Sequence, residues 1–312
     1  MHKTLFKYMP YRCEFFDLPL IRITPAGALN DPFDFKMTKE AIRKRLGFMV
    51  DEVGEGNLYV SDEDIESRYR DVYDYLAKGL DDCGVISLTE DSRNLLMWAH
   101  YASDHTGIVV ELYNSEESFD WTGAASTPYG FETRSAQRVT YSAYRTGADL
   151  SDEITYSLYE DDIYQHFALL KGNDWIYEKE HRLVLSMRSA DAAIFLVGNN
   201  FEYYKKLLEQ RSLEYRVLGD KVLVKLPGEG RNFMAVFVAA QIFTGLPVMY
   251  FKLPKPSAIK AIYFGCNVTD ERMQKAIEKV GASKYFSSNV MFYRAVISQE
   301  RFELSFDFVG YA

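Results

Sequence analysis

Three separated stretches of the 312-residue chain gather side chains that do chemistry. The first is Asn30-Asp31-Pro32-Phe33-Asp34. Pro32 biases Asp31 to an extended conformation, and Asn and Asp commonly close turns on their own backbone. That structural role competes with a functional one, in which a rigid loop presents Asn30 and Asp31 to a ligand with Phe33 as an apolar wall. The second stretch combines Ser87-Leu88-Thr89-Glu90, Leu96-Met97-Trp98-Ala99-His100-Tyr101 and His105-Thr106-Gly107. His100 and His105 stand five apart, which is not the i, i+4 spacing of a helical metal pair, so no metal site is assigned. Trp98 reads as core or as a ligand platform, whereas His100 and Tyr101 supply polar tips at a cleft. The third is Trp175-Ile176-Tyr177-Glu178-Lys179-Glu180-His181-Arg182. If extended, it puts Glu178, Glu180 and Arg182 on one face and Tyr177 and His181 on the other. A carboxylate beside an arginine is ordinarily a salt bridge. The same pair can also stabilise a cationic transition state and grip an anionic ligand.

The elements that must hold these residues follow from apolar patterning. TLFKY near the N-terminus and PLIRIT (19–24) read as short strands, and PAGALNDPFDF after them as loop or turn. Residues 38–52 and 61–79 read as helices, the second opened by the acidic cap SDED. CGVISL (83–88) and GIVVEL (107–112) are strands on either side of a helical NLLMWAHYA (94–102). Residues 115–135 read as a surface excursion and QRVTY (137–141) as an edge strand. A helix is expected over 152–171, ending at Lys171-Gly172, and a strand at HRLVLS (181–186). Further on come a helix at 201–212, a hairpin at 214–226 around Gly219-Asp220, the strands MYFKL and AIKAIYFG, a helix at 269–280 opened by Thr269-Asp270, and two terminal strands. Strands and helices do not alternate regularly, which argues against a doubly wound parallel sheet. The expected fold is α+β, a mixed or mainly antiparallel central sheet with flanking helices, in one domain spanning 1–312 with a helical elaboration at 38–79.

Composition narrows the function. The chain is 47% hydrophobic and carries 23 Tyr and 21 Phe, rings that bury large areas and leave polar tips at site edges. The net charge of −9 and the lack of a Lys/Arg block exclude a generic duplex-binding surface, although a local positive cleft stays open. Three widely spaced cysteines, Cys13, Cys83 and Cys266, form no CxxC pair and read as thiols in a reducing compartment. The N-terminus is not a signal peptide, and the apolar stretch 233–249 is too short and too interrupted for a membrane span, so a cytoplasmic protein with no membrane partner is expected. There is no GxGxxG, Walker A, HExxH or GxSxG phrase.

The phrases LFKY, LNDPFD, SLTEDSRNLLMWAHYASDHTGIVVEL, WIYEKEHRL and IKAIYFG together resemble DUF2971, a family of mostly bacterial and phage-associated proteins. Leu29 and Asp34 stand where the family often has Phe and Glu, and His181 where an aromatic is common. The order of these phrases is also similar to the layout of ADP-ribosyltransferases, which cleave NAD at the nicotinamide–ribose bond. That likeness implies Glu180 as the catalytic Glu, Glu178 as a residue orienting the acceptor, Lys7 or Tyr8 at the first-strand position and Thr24 as the second-strand hydroxyl. No His or Arg occupies the LFKY strand, a departure at that position. The leading expectation is an NAD-consuming transferase, a toxin or antiphage effector. Its catalytic residues would be Glu180, Glu178 and His100. Its NAD would be held by Tyr8, Thr24, Asn30, Asp31, Phe33, Trp98, Tyr101, His105 and Arg182, and its acceptor would be a protein or nucleic acid. One alternative is a non-catalytic sensor that binds a nucleotide or a partner. Another is a nucleic-acid hydrolase with Mg²⁺ on Asp31, Asp34, Glu90 and Glu180.

Overall fold

The computed structural model describes residues 3–36, 38, 67, 70, 83–122, 133–145, 167–196, 201–210, 212–226 and 248–312. The first strands are β1 (Thr4–Met9), β2 (Ile21–Pro25), β3 (Cys83–Thr89) and β4 (Ile108–Tyr113). Next come β5 (Gln137–Arg138), β6 (Thr140–Ser142), β7 (Leu170–Gly172), β8 (Glu180–Ser186) and β9 (Ala192–Leu196). The chain continues with β10 (Tyr215–Leu218), β11 (Lys221–Lys225), β12 (Val248–Lys252), β13 (Ile259–Phe264), β14 (Met291–Ile297) and β15 (Leu304–Tyr311). The longer helices among the described residues are α1 (Leu95–Tyr101), α2 (Phe201–Gln210) and α3 (Asp270–Ala282). Thirteen strands form one sheet in the order β10-β11-β9-β12-β2-β3-β1-β4-β13-β14-β15, with β8 joining β3 and β5 joining β8. Its pairings are antiparallel except β13 with β14. The fold is therefore α+β with a large, mostly antiparallel mixed sheet, as the sequence predicts.

The sheet divides at β3. One edge of this strand pairs with β8 along its whole length, Cys83 with Ser186 through Thr89 with Glu180. Its other edge is shared: Val85 and Gly84 pair with Thr24 and Pro25 of β2, and Thr89 alone pairs with Phe6 of β1. Between those two attachments Ile86, Ser87 and Leu88 have neither β1 nor β2 as a ladder partner, so the two strands splay apart. The close approach at Gly84 is enforced by packing, since a Cβ there would lie 2.3 Å from Ile23 Cγ2 and 2.4 Å from Met187 Sδ.

Apolar burial holds the divided sheet in shape. All seven residues of β8 are buried. Alternation along β1 sends Leu5 and Met9 into the main core with Phe16, Ile86, Val110 and Phe264, and Phe6 and Tyr8 into a second cluster around Trp98. Trp98 is fully buried. Tyr8 meets it edge-on at 5.4 Å and His105 stacks on it at 6.2 Å. The chain leaves α1 through three consecutive left-handed residues, Ser103, Asp104 and His105, with φ of 48°, 52° and 65°. That corner fits only because Gly265 lacks a side chain: a Cβ there would lie 2.1 Å from the His105 carbonyl oxygen.

Two local expectations need correction. Leu170–Gly172 is not a helix end but strand β7, paired in parallel with β6. Asn173–Glu178 is a 3-10 helix rather than a strand, closed by Lys179 at φ 45°. The strand begins only at Glu180, so Glu178 does not share a strand face with Glu180 and Arg182. QRVTY is interrupted at Val139, which divides it into β5 and β6. The helices expected at 38–52 and 61–79, and the domain elaboration they make, fall outside the described residues except at positions 38, 67 and 70. So does most of the expected helix at 152–171 and of the apolar stretch at 233–249. Among the described residues no helix is long and apolar enough to cross a membrane.

Candidate functional site

The parting of β1 from β2 opens a cavity of about 450 Å³. β1 contributes Phe6, Lys7, Tyr8 and Met9; β2 contributes Ile21, Arg22 and Thr24; the bare stretch of β3 contributes Ser87 and Leu88. Met249 and Phe251 of β12 close one wall, and Asn30, Met97, Tyr101, Lys171, Glu178 and Glu180 line another. A few polar groups converging on a largely apolar hollow of this size is the usual form of a small-molecule site.

The polar wall is one connected network. Arg182, fully buried, donates from Nη2 to Asp34 at 2.8 Å and to Glu180 at 3.0 Å, from Nε to Glu180 at 3.1 Å, and from Nη1 to the Ala168 carbonyl at 2.8 Å. Lys171 donates to Glu180 at 2.9 Å and to Glu178 at 2.6 Å. Tyr101 donates to the other Glu178 oxygen at 2.5 Å and accepts from Asn30 at 2.7 Å. Local chemistry brings these groups together. Asn94 caps α1 by accepting from the amides of Leu96 and Met97, and its Nδ2 donates to the Tyr177 carbonyl at 2.7 Å. That second bond ties the Asn173–Glu178 turn to the helix carrying Tyr101. The left-handed Lys179 then reverses the chain so that Glu178 and Glu180 reach the same ammonium.

Charge is balanced only if Lys7 is included. Three carboxylates (Asp34, Glu178, Glu180) meet two cations (Arg182, Lys171) in the network. Lys7, which donates to the Ser87 carbonyl at 2.9 Å, adds the third cation from across the cavity. Burial pushes Glu180 upward, but Arg182 and Lys171 outweigh it and hold the carboxyl at about 2. Asp34 moves the other way: burial raises it against the pull of Arg182. Burial would lower Lys171, yet Glu180 and Glu178 keep it raised. Burial brings Lys7 down to about 8, with Glu180 opposing and the nearby Arg22 and Arg12 reinforcing the drop.

The depressed Lys7 ammonium makes the cavity pH-sensitive. Between about 8 and 10.5 the unfolded chain binds more protons at Lys7 than the folded one, so this group's contribution to stability rises with pH across that window. The penalty below pH 8 is at most roughly 3 kcal/mol, and less because the part-buried amine keeps some solvent. An anion placed beside Lys7 would respond the opposite way, being held most strongly while the amine is charged. Titration calorimetry with inorganic pyrophosphate should show affinity falling several-fold from pH 7 to pH 9, and Lys7→Met should abolish that slope. A pH-independent affinity would detach Lys7 from the anion.

The residues picked out in the sequence divide into three groups. Tyr8, Thr24, Asn30, Tyr101, Glu178 and Glu180 line the cavity. Arg182 lies behind it, entirely enclosed and bound to Glu180, so it orients a carboxylate and does not grip a ligand. Trp98 is core, His100 is exposed and lies edge-on to Tyr101, and His105 borders a separate hollow with Cys266 and Phe302. Asp31 and Phe33 face a different cavity, beside Tyr144 and Trp175. Of the Mg²⁺ set, Asp34 and Glu180 do converge, but on the Arg182 guanidinium, while Glu90 pairs with His181 and Arg138. Among the described residues no group of three or more His, Cys, Asp or Glu is placed to hold a metal ion. Sequence reading passed over Arg12, Arg22, Ser87 as a wall residue and Lys171. Only the alternation of β2, which puts Arg22 opposite the buried Ile21 and Ile23, carried a usable signal.

The geometry thus defines an α+β protein whose divided sheet encloses a charged cavity of about 450 Å³. Residues 97–183 match the family model of DUF2971, described as a protein of unknown function, so this segment is similar to that family. The matched segment runs from α1 into β8 and contains Tyr101, Lys171, Glu178, Glu180 and Arg182. No curated protein and no solved structure matches the chain.

Proposed function

We propose that this protein is an NAD-consuming enzyme of ADP-ribosyltransferase or NAD-glycohydrolase type, working in the cavity between β1 and β2. The observation that carries the reading is the meeting of a carboxylate pair, Glu178 and Glu180, with the cations Lys7, Arg12 and Arg22 around one cavity. Cations neutralise a diphosphate, carboxylates accept ribose hydroxyls, and the part-exposed Phe6, Leu29 and Met249 give a base an apolar wall. In the reaction the bond from ribose C1′ to the nicotinamide nitrogen breaks, and its electron pair leaves with nicotinamide, which becomes neutral. The ribosyl cation is captured by water, which loses a proton, or by a nucleophile on a protein or nucleic-acid acceptor. A fixed carboxylate beside the ribose lowers the cost of that positive charge.

The hydrogen-bond inventory favours Glu178 for this role over Glu180, the residue the layout likeness points to. A carboxylate has about four lone-pair sites. Glu180 accepts twice from Arg182, once from Lys171 and once from the Ser87 hydroxyl, which fills it. Glu178 accepts from Tyr101 and Lys171 and keeps capacity for a ribose hydroxyl. Glu180 then acts by fixing Lys171.

The test is incubation with NAD, followed by measurement of free nicotinamide and the intact mass of added acceptors. Turnover is expected, with protection against heat by NAD. Protection without nicotinamide would transfer the site to the second reading, a nucleotide sensor, which the saturated Glu180 favours. Neither effect would remove NAD altogether. A toxin or antiphage role is the setting that the family resemblance implies for such an activity.

A further inference from the structure

A second cavity, also of about 450 Å³, opens at the Asp34 end of the charge network and shares Lys171 with the first. Its walls carry Phe33, Tyr144 and Trp175. Phe33 and Tyr144 are 57% and 65% exposed, an uncommon state for large rings in a concave site. The Phe33 ring already accepts a flat group: the Arg145 guanidinium lies 5.0 Å from its centroid and also donates to the Lys36 carbonyl at 3.0 Å. Lys36 and Arg145 are exposed cations on the same cavity, which also carries the exposed carboxylate Asp174. Two of its residues, Asp31 and Asp34, are buried. Asp31 Oδ1 accepts from the Phe33 amide and Asp34 Oδ1 from Arg182, but the Oδ2 of each has no hydrogen-bond partner among the described residues.

These features select one ligand chemistry. Ring faces take another flat π-system, carboxylate oxygens take amino or imino N–H donors, and peripheral cations take phosphate. An apolar ligand would leave the carboxylates unpaired, and a purely cationic one would give the exposed Lys36 and Arg145 no anion to pair with. We propose that this second cavity binds a nucleotide whose base carries an exocyclic amino group. The base stacks on Phe33 and Tyr144, its N–H groups turn towards Asp31 and Asp34, and its phosphate pairs with Lys36 and Arg145. The site stands independently of the chemistry assigned to the first cavity.

Fluorescence anisotropy with short single-stranded oligo(dC) and oligo(dT) tests this, with CMP as competitor. Oligo(dC) is expected to bind more tightly than oligo(dT). The variant Phe33→Ala with Tyr144→Ala, both at exposed positions, should weaken oligo(dC) at least tenfold at unchanged Tm. Lys36→Glu should weaken both oligonucleotides and flatten the salt dependence. Competition by CMP at concentrations comparable to the oligonucleotide assigns the site to free nucleotides, and its failure to compete assigns it to single strands. Equal binding of the two oligonucleotides, unchanged affinity in the double variant, or displacement by arginine methyl ester in place of CMP would overturn the proposal. Nicotinamide release from NAD is read on the same samples. Turnover without Phe33-dependent binding removes this site alone, and binding without turnover removes the NAD reading alone.

Discussion

Replacing Arg182 by leucine is expected to cost about 3–5 kcal/mol of folding stability. The guanidinium has no solvent contact, and its four bonds to Asp34, Glu180 and Ala168 have no water to replace them. Leucine would fill part of the volume and strand two buried carboxylates. Asp34, already raised by burial with the arginine in place, would take up a proton; Glu180 would keep only Lys171 and Ser87. Calorimetry should record a fall in Tm of at least about 6 °C at neutral pH. The loss should shrink towards pH 4, where both variant carboxyls protonate and the penalty of unpaired charge disappears. Lysine at 182 should rescue little, because one ammonium cannot reproduce the fork that reaches two carboxylates and a carbonyl. An unshifted Tm in Arg182→Leu would mean that the network organises the site without supporting the fold.

Glu178→Gln should lower nicotinamide release from NAD by about a hundred- to a thousand-fold, the scale for removing one preorganised electrostatic group, while Tm moves by no more than a degree or two. The fold tolerates this change because Lys171 keeps Glu180 at 2.9 Å and the glutamine oxygen can still accept from Lys171 or Tyr101. The KM for NAD should change less than kcat, since an amide still hydrogen-bonds a ribose hydroxyl but offers no negative charge to the developing cation. Glu180→Gln is the informative partner. It should also reduce turnover, but with a measurable loss of stability, because it loosens both Lys171 and Arg182. Full turnover in Glu178→Gln with none in Glu180→Gln would return the chemistry to Glu180, and full turnover in both would end the glycosidic-cleavage reading.

Sequence periodicity located β1 through β4, α1, β8, the β10–β11 hairpin, α3 and the closing strands, because each carries its pattern within its own few residues. What it could not locate depends on partners distant in the chain. Taken as extended, WIYEKEHR puts Glu178 on a strand face with Glu180; the turn found there is fixed by Asn94, which binds the Tyr177 carbonyl across 83 residues. Lys171 beside Gly172 looks like a helix end in isolation, and only the Glu178 and Glu180 carboxylates reveal its role. His100 and Tyr101 read alike as polar tips of a cleft, yet of the two only Tyr101 lines the cavity, and Asp31 and Phe33, in the same phrase as Asn30, turn to a different one. Trp98 and Arg182 show the opposite error: both residue types commonly meet ligands, and here both are enclosed by protein.

The order in which the cavity acquires its walls has a consequence for synthesis. β1, β2, β3 and the carboxylate-bearing segment are all translated before Met249 and Phe251 on β12, which joins β2 to β9 and closes the remaining side. Every other strand that lines the cavity thus precedes its last wall in the chain. A chain truncated before β12 would therefore keep both glutamates but lack Met249 and Phe251, the side chains that close this flank of the pocket.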